Sequence, residues 1–131
     1  MNSLIRATII VLAALLSGCT KSDTLWQDGN YLVYKRPHSR EIIMGYHFGD
    51  GGVLGLSGPT VSAAGADANY VVFLVEPDSY FYIVREQDGE GVSYGPFDKE
   101  GFEAARRERY LPRFGWHLEP STAHAQQIDA A

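Results

Sequence analysis

The chain has 131 residues, which is room for one domain, and 45% of them are hydrophobic, which favours a globular protein over a disordered one. The formal net charge of −5 argues against nucleic acid and anionic lipid headgroups as partners, because both are negatively charged. The single cysteine excludes an internal disulfide and argues against zinc-ribbon and dithiol redox sites.

Residues 1–18 have the pattern of a secretory signal peptide. Arg6 provides a positive charge, and an apolar run follows from Ala7 to Leu16. The run has about half of the roughly 20 residues that a helix needs to cross a bilayer. It therefore predicts a cleaved signal rather than a permanent transmembrane helix.

The apolar run ends in Leu16-Ser17-Gly18-Cys19, which resembles the lipobox of bacterial lipoproteins. The resemblance implies that the signal peptidase recognises the first three residues. It also implies that Cys19 carries the lipid and becomes the first residue of the mature protein. A thiol suits this role because its thiolate is a strong nucleophile. The alternative is an ordinary signal peptide with a chance cysteine.

The residue after the cysteine bears on the location. In Gram-negative lipoproteins, an Asp at this position tends to retain the protein in the inner membrane. Thr20 stands there in this chain, which implies attachment to the outer membrane through the lipid, facing the periplasm. The inner membrane and the cell surface remain alternatives.

The mature chain predicts one α+β domain over residues 30–119, with a lipidated tether at residues 19–29 and a disordered tail at residues 120–131. Strand-like composition predicts a hairpin from residues 30–36 and 41–48. Residues 49–69 carry six glycines and predict a long loop, with a short strand at residues 53–56.

The second half predicts the rest of a small antiparallel sheet and one C-terminal helix. The apolar run at residues 70–76 predicts a central strand, paired with residues 79–85, and a short strand follows at residues 92–94. Asp98 is a good N-cap for a helix from Lys99 to about Arg109. Residues 114–118 alternate as a final strand, with Phe114, Trp116 and Leu118 on one face.

The segment Tyr94-Gly95-Pro96-Phe97-Asp98, which follows an aromatic-rich strand, carries a second resemblance. It is similar to the strand–turn–helix ending of small uncharacterised bacterial lipoproteins, the DUF3997-like group. Residues 28–34 resemble the first strand of that group. The likeness implies a capped helix entry and provides no catalytic residues to transfer.

No residue pattern singles out a metal, cofactor or catalytic site. The spacing of the four histidines matches no metal-binding motif, so we expect surface histidines. Residues 49–52 lack the ending of a phosphate-binding loop, and Ser57 lacks the nucleophile-elbow pattern. The arginines at positions 106, 107, 109 and 113 either complement the helix dipole or form a binding patch.

These observations favour a non-enzymatic, lipid-anchored binding protein, with an immunity or inhibitor role against a basic protein. The alternatives are a structural or assembly accessory of the cell envelope and, less favoured, a hydrolase. The candidate partner-binding residues are the aromatic side chains Trp26, Tyr31, Tyr34 and Tyr46, because aromatic residues are enriched at interface hot spots. The alternative is that these rings belong to the core.

The lipobox gives the first testable prediction. Cys19→Ala should abolish incorporation of labelled palmitate and leave the precursor uncleaved or release the domain, because the acceptor thiol is gone. Continued palmitate labelling of the Cys19→Ala protein would refute the lipid anchor.

Overall fold

The computed structural model describes residues 23–119 of the chain. The predicted signal peptide and the predicted tail at residues 120–131 lie outside this range. The described part forms nine strands and one helix. They are β1 (Thr24–Asp28), β2 (Tyr31–Lys35), β3 (Ile42–His47), β4 (Val53–Gly55), β5 (Val61–Ala66), β6 (Tyr70–Val75), β7 (Ser79–Val84), β8 (Val92–Phe97), α1 (Lys99–Arg109) and β9 (Trp116–His117).

The strands form two antiparallel sheets. Sheet A has the order β1-β2-β3-β4, and sheet B has the order β8-β7-β6-β5-β9. The predicted α+β class with one C-terminal helix is confirmed, but the chain builds two sheets where the sequence predicted one.

Sheet B is the middle layer, and its central strand β6 is buried on both faces. Val71 and Phe73 belong to a core shared with sheet A, whereas Val72 belongs to a second core under α1. All three side chains are 0% exposed. Successive side chains of a strand point to opposite faces, so the continuous apolar run of β6 requires a layer on each side. This explains why a single sheet would not suffice.

Strand β1 occupies residues that the sequence predicted to be tether. Leu25 and Trp26 pack against the core between the sheets, and β1 pairs with β2 in an antiparallel hairpin. The turn uses Gly29, whose φ of +59° favours glycine. The loop residues are Gly29-Asn30, a two-residue hairpin signal that could have identified this strand.

Strand β5 lies inside the segment that was predicted as a loop. Its sequence, VSAAGA, is rich in residues of low strand propensity. Small side chains are needed because the segment between α1 and β9 crosses directly over it. A Cβ built on Gly65 would lie 2.0 Å from the carbonyl oxygen of Arg113.

The helix begins as predicted. Asp98 is the N-cap, and its Oδ1 accepts a hydrogen bond of 2.7 Å from the backbone N–H of Gly101. Phe102 is buried against sheet B, with Ala105 packed at the edge of the same cluster. The helix ends at Tyr110, which adopts the left-handed conformation with a φ of +58°.

The final segment differs from the prediction in two ways. The strand β9 has two residues, Trp116 and His117, rather than five. Trp116 and Leu118 pack against the core between the sheets, but Phe114 packs under α1 and stacks on Phe102 at 5.8 Å. The chain therefore passes from one face of sheet B to the other at this point.

The crossing over β5 gives the second prediction. Gly65→Ala should lower the free energy of unfolding by about 1–3 kcal/mol, because the new methyl group overpacks against the backbone of residue 113. Gly115→Ala is the matched control in the crossing segment, since a Cβ there meets nothing within 4 Å. Chemical denaturation measures both, and an equal, small effect of the two variants would contradict the close approach.

Candidate functional site

The predicted lipidation site, Cys19, and the signal-peptidase residues Leu16, Ser17 and Gly18 lie outside the described residues. The tether predicted over residues 19–29 is shorter than expected, because strand β1 already begins at Thr24. No helix within residues 23–119 is long and apolar enough to cross a membrane.

The four aromatic residues predicted to bind a partner do not form one exposed patch. Tyr31 is 3% exposed and Tyr46 is 9% exposed, and both belong to the core between the sheets. Trp26 packs against the same core and Tyr34 is half-buried. For Tyr31 and Tyr46, the burial supports the alternative that these rings belong to the core, because their strand positions face inwards.

Tyr31 belongs instead to a group of polar contacts that joins the two sheets. Its hydroxyl donates a 2.8 Å hydrogen bond to the carbonyl of Glu90, and the guanidinium of Arg85 lies 5.3 Å from its ring centre. Arg85 also donates to Asp28 at 2.7 Å and to the carbonyl of Asp67 at 2.9 Å. Burial, with a contribution from Tyr46, raises the pKa of Tyr31. These contacts serve the fold rather than a free surface.

Exposed apolar side chains occur instead on the hairpin formed by β3 and β4. Phe48 is 40% exposed, Val53 37% and Leu54 38%. Leu54 is the register partner of Tyr46 and lies on the same face of sheet A as Phe48, whereas Val53 lies on the opposite face. Phe48 and Leu54, with Asp50 in the turn and the edge of β4, form what we call the hairpin surface. A Cβ built on Gly52 would lie 3.4 Å from the carboxylate of Asp50 and 3.8 Å from the ring of Phe48. The carboxylate and the ring are thus adjacent.

Tyr46 is the buried residue on which the hairpin surface packs. Its ring packs edge-on against Phe48, with ring centres 5.8 Å apart, and edge-on against Tyr31 at 5.1 Å. Tyr46, predicted from the sequence, is thus a supporting residue of the hairpin surface, whereas its exposed members were not predicted. The Phe48-Gly49-Asp50-Gly51 sequence, read as a turn that presents an aromatic side chain, could have indicated it.

Three acidic residues of the strands and turns of sheet A, Asp28, Glu41 and Asp50, separate into two groups. Asp28 pairs with Arg85 at 2.7 Å, and Glu41 lies 3.7 Å from Arg36. Asp50 makes no ion pair within residues 23–119, and its carboxylate accepts the backbone N–H of Gly52 at 3.1 Å. It is the acid that lies beside the exposed apolar side chains.

Strand β4 also provides a sheet edge that is open within the described part of the chain. Leu56 donates its backbone N–H to the carbonyl of Met44, and hydrogen-bonded pairs alternate with non-bonded pairs along an antiparallel ladder. Val53 and Gly55 therefore direct their backbone N–H and C=O groups away from β3. An extended segment of a partner could pair with them.

A second surface lies at the C-terminal end of α1, on the opposite outer layer. It is a shallow groove of about 450 Å³, which we call the arginine groove. The lining residues are Arg106, Arg107, Tyr110, Leu111 and Arg113.

The arginines at this end of α1 have different partners. Arg106 is held by Glu103 at 2.5 Å, and Arg109 turns towards sheet B, 5.5 Å from the ring centre of Tyr82. The interaction with Tyr82, together with a hydrogen bond to Tyr70, raises the pKa of Arg109. Arg107 and Arg113 make no ion pair within residues 23–119. Both residues are exposed and line the groove.

Three of the four histidines and Ser57 lie in the described part of the chain. His38 and His117 are exposed, His47 is half-buried, and His124 lies outside the described residues. The hydroxyl of Ser57 accepts the backbone N–H of Met44 at 2.9 Å and donates to the carbonyl of Gly58. In the described range, no three His, Cys, Asp or Glu side chains are grouped closely enough to hold a metal ion.

Comparisons with known proteins found no matching family model, curated protein or solved structure. The resemblances of residues 16–19 to the lipobox and of residues 28–34 and 94–98 to small bacterial lipoproteins therefore stay predictions.

Proposed function

We propose that this chain is a lipid-anchored binding protein of the outer membrane, which faces the periplasm and catalyses nothing. Its specific role is to inhibit, or give immunity against, a basic protein. The observation that supports the binding role is the hairpin surface, where exposed apolar side chains, a free carboxylate and an open sheet edge lie together.

The composition of the hairpin surface suits a protein partner. Phe48 offers an aromatic ring that is already held by packing on Tyr46, so little side-chain entropy is lost when a partner covers it. Leu54 extends this apolar area along β4, and Val53 exposes a second apolar side chain on the opposite face of the same edge strand. Aromatic residues at the centre of a patch are the usual hot spots of protein interfaces.

The charge of the chain favours a basic partner. The formal net charge is −5, and Asp50 places one negative charge directly beside Phe48. Charge of this kind steers an oppositely charged partner to the surface and raises the association rate. Binding should therefore weaken as salt rises, since the Debye length falls from about 10 Å at 0.1 M to about 3 Å at 1 M.

The third prediction tests the hairpin surface by site-specific photo-crosslinking of the full, lipidated chain in Gram-negative cells. A crosslinking amino acid in place of Val53 should give one discrete adduct with a basic protein. Phe48→Ser with Leu54→Ser should reduce the adduct at least tenfold, the equivalent of about 1.4 kcal/mol, because the apolar anchors are lost. Because Phe48 packs on Tyr46, the thermal midpoint of the double variant is measured as well, to establish that the domain remains folded.

The control uses the edge of sheet B. Val92 is 46% exposed on β8, so Val92→Ser makes a similar change on another edge strand and should leave the adduct intact. A toxin in the adduct would establish immunity, and an envelope-assembly protein would establish the accessory role. Equal loss from both variants, or turnover of a peptidoglycan or ester substrate that depends on one acid or serine, would overturn the proposal.

A further inference from the structure

We infer that the arginine groove is a second binding site, which takes the acidic side chains of a protein segment. The groove lies on the helix layer, separated from the hairpin surface by sheet B. The two surfaces have opposite charge preferences. This inference goes beyond the proposed function and stands on different residues.

The charge of the groove is local and opposite to that of the chain. Positions 106, 107, 109 and 113 hold four of the 11 Lys and Arg residues. Arg107 and Arg113 face the groove without an ion pair in the described part of the chain, while Glu103 orients Arg106 at 2.5 Å. Guanidinium groups match carboxylates through paired hydrogen bonds, so this arrangement recognises carboxylate groups.

Tyr110 points to a ligand through its side chain, because only its backbone has a role in the fold, where its N–H donates to the carbonyl of Arg106 and ends the helix. Its backbone has a φ of +58°, a conformation in which glycine is normally favoured at the end of a helix. Its side chain is 85% exposed and therefore gains little from packing within the chain. An aromatic ring held in a strained, exposed position beside arginines has the composition of an interface hot spot.

Two features favour a protein segment over phosphate. The groove is shallow, whereas small-molecule sites enclose most of their ligand. The last carbonyls of α1 also carry partial negative charge, which opposes a phosphate dianion more strongly than a single carboxylate. A peptide can place a carboxylate on Arg107 or Arg113 and an apolar group against Tyr110.

The position of the groove disfavours lipid headgroups, and this step alone rests on the proposed lipid anchor. Strand β1 starts at Thr24, at the end of sheet A opposite Asp28. Asp28 is joined through Arg85 to the end of sheet B where Tyr70 pairs with Val84. The ring of Tyr70 packs on Tyr82, and the guanidinium of Arg109 lies over Tyr82. An anchor that precedes Thr24 therefore leaves the groove at the far end of the domain, away from the membrane.

The fourth prediction uses the full, lipidated chain in a zwitterionic detergent and a rhodamine-labelled hexaglutamate peptide as the probe. Fluorescence anisotropy should show binding that weakens with salt. Arg107→Gln with Arg113→Gln should reduce the affinity at least tenfold. The matched control, Arg36→Gln with Arg40→Gln, removes the same charge elsewhere and should change the affinity less than twofold.

Tyr110→Gly separates binding from folding. This substitution should lower the affinity for the peptide several-fold, because the aromatic ring is lost. It should also raise the thermal midpoint of unfolding, because glycine tolerates the left-handed conformation. Phe48→Ser with Leu54→Ser should bind the peptide like the unmodified chain, so failure of the hairpin surface and failure of the groove can be told apart.

Several outcomes would overturn the inference. These are no binding of the peptide, equal loss in the control variant, or unchanged affinity of Tyr110→Gly. Arginine-dependent binding of inorganic phosphate, or of vesicles containing phosphatidylglycerol, without binding of the peptide would also overturn it and assign the groove to a phosphate ligand.

Discussion

The fold depends on the burial of β6 on both of its faces. Val71 and Phe73 fill the core towards sheet A, and Val72 fills the core under α1. Burial of side chains of this size contributes about 1.5–3 kcal/mol each. With one cysteine in the chain, no internal disulfide can replace this contribution. Removing either outer layer would expose one face of β6 to water, so both layers are needed.

The same constraint explains what the sequence could predict. The apolar run at residues 70–76 indicated a central strand, and Asp98 with the residues after it indicated a capped helix, because both signals are local. Strand β5 could not be predicted in this way. Its alanines and Gly65 are small because a distant segment, near Arg113, crosses over them, and that contact exists only in the folded chain.

The candidate sites were harder to predict than the fold. Aromatic residues form both cores, so composition did not separate the buried Tyr31 and Tyr46 from the exposed Phe48. Whether an aromatic side chain of sheet A is buried or exposed depends on which face of sheet A packs against sheet B. The arginines near the end of α1 were visible in the sequence, but the exposure of Tyr110 and the groove beside it depend on how the chain leaves the helix.

The two surfaces lie on the two outer layers, and sheet B connects them. The hairpin surface is apolar with a free carboxylate, and the arginine groove is cationic with an exposed tyrosine. In the proposed function, a basic partner would bind the first, while the second remains available for an acidic segment. A rigid middle layer would keep the surfaces apart, so that one partner cannot displace the other by direct contact.

Native-state amide hydrogen exchange tests most directly whether β6 joins the three layers into one cooperative unit. Phe102→Leu alters only the core under α1 and should lower stability by about 1–2 kcal/mol. If the layers unfold together, the slowest amides of β3, in sheet A, should lose the same protection as those of β6, roughly tenfold per 1.4 kcal/mol. Unchanged protection in β3, with α1 or β6 opening alone, would contradict this account.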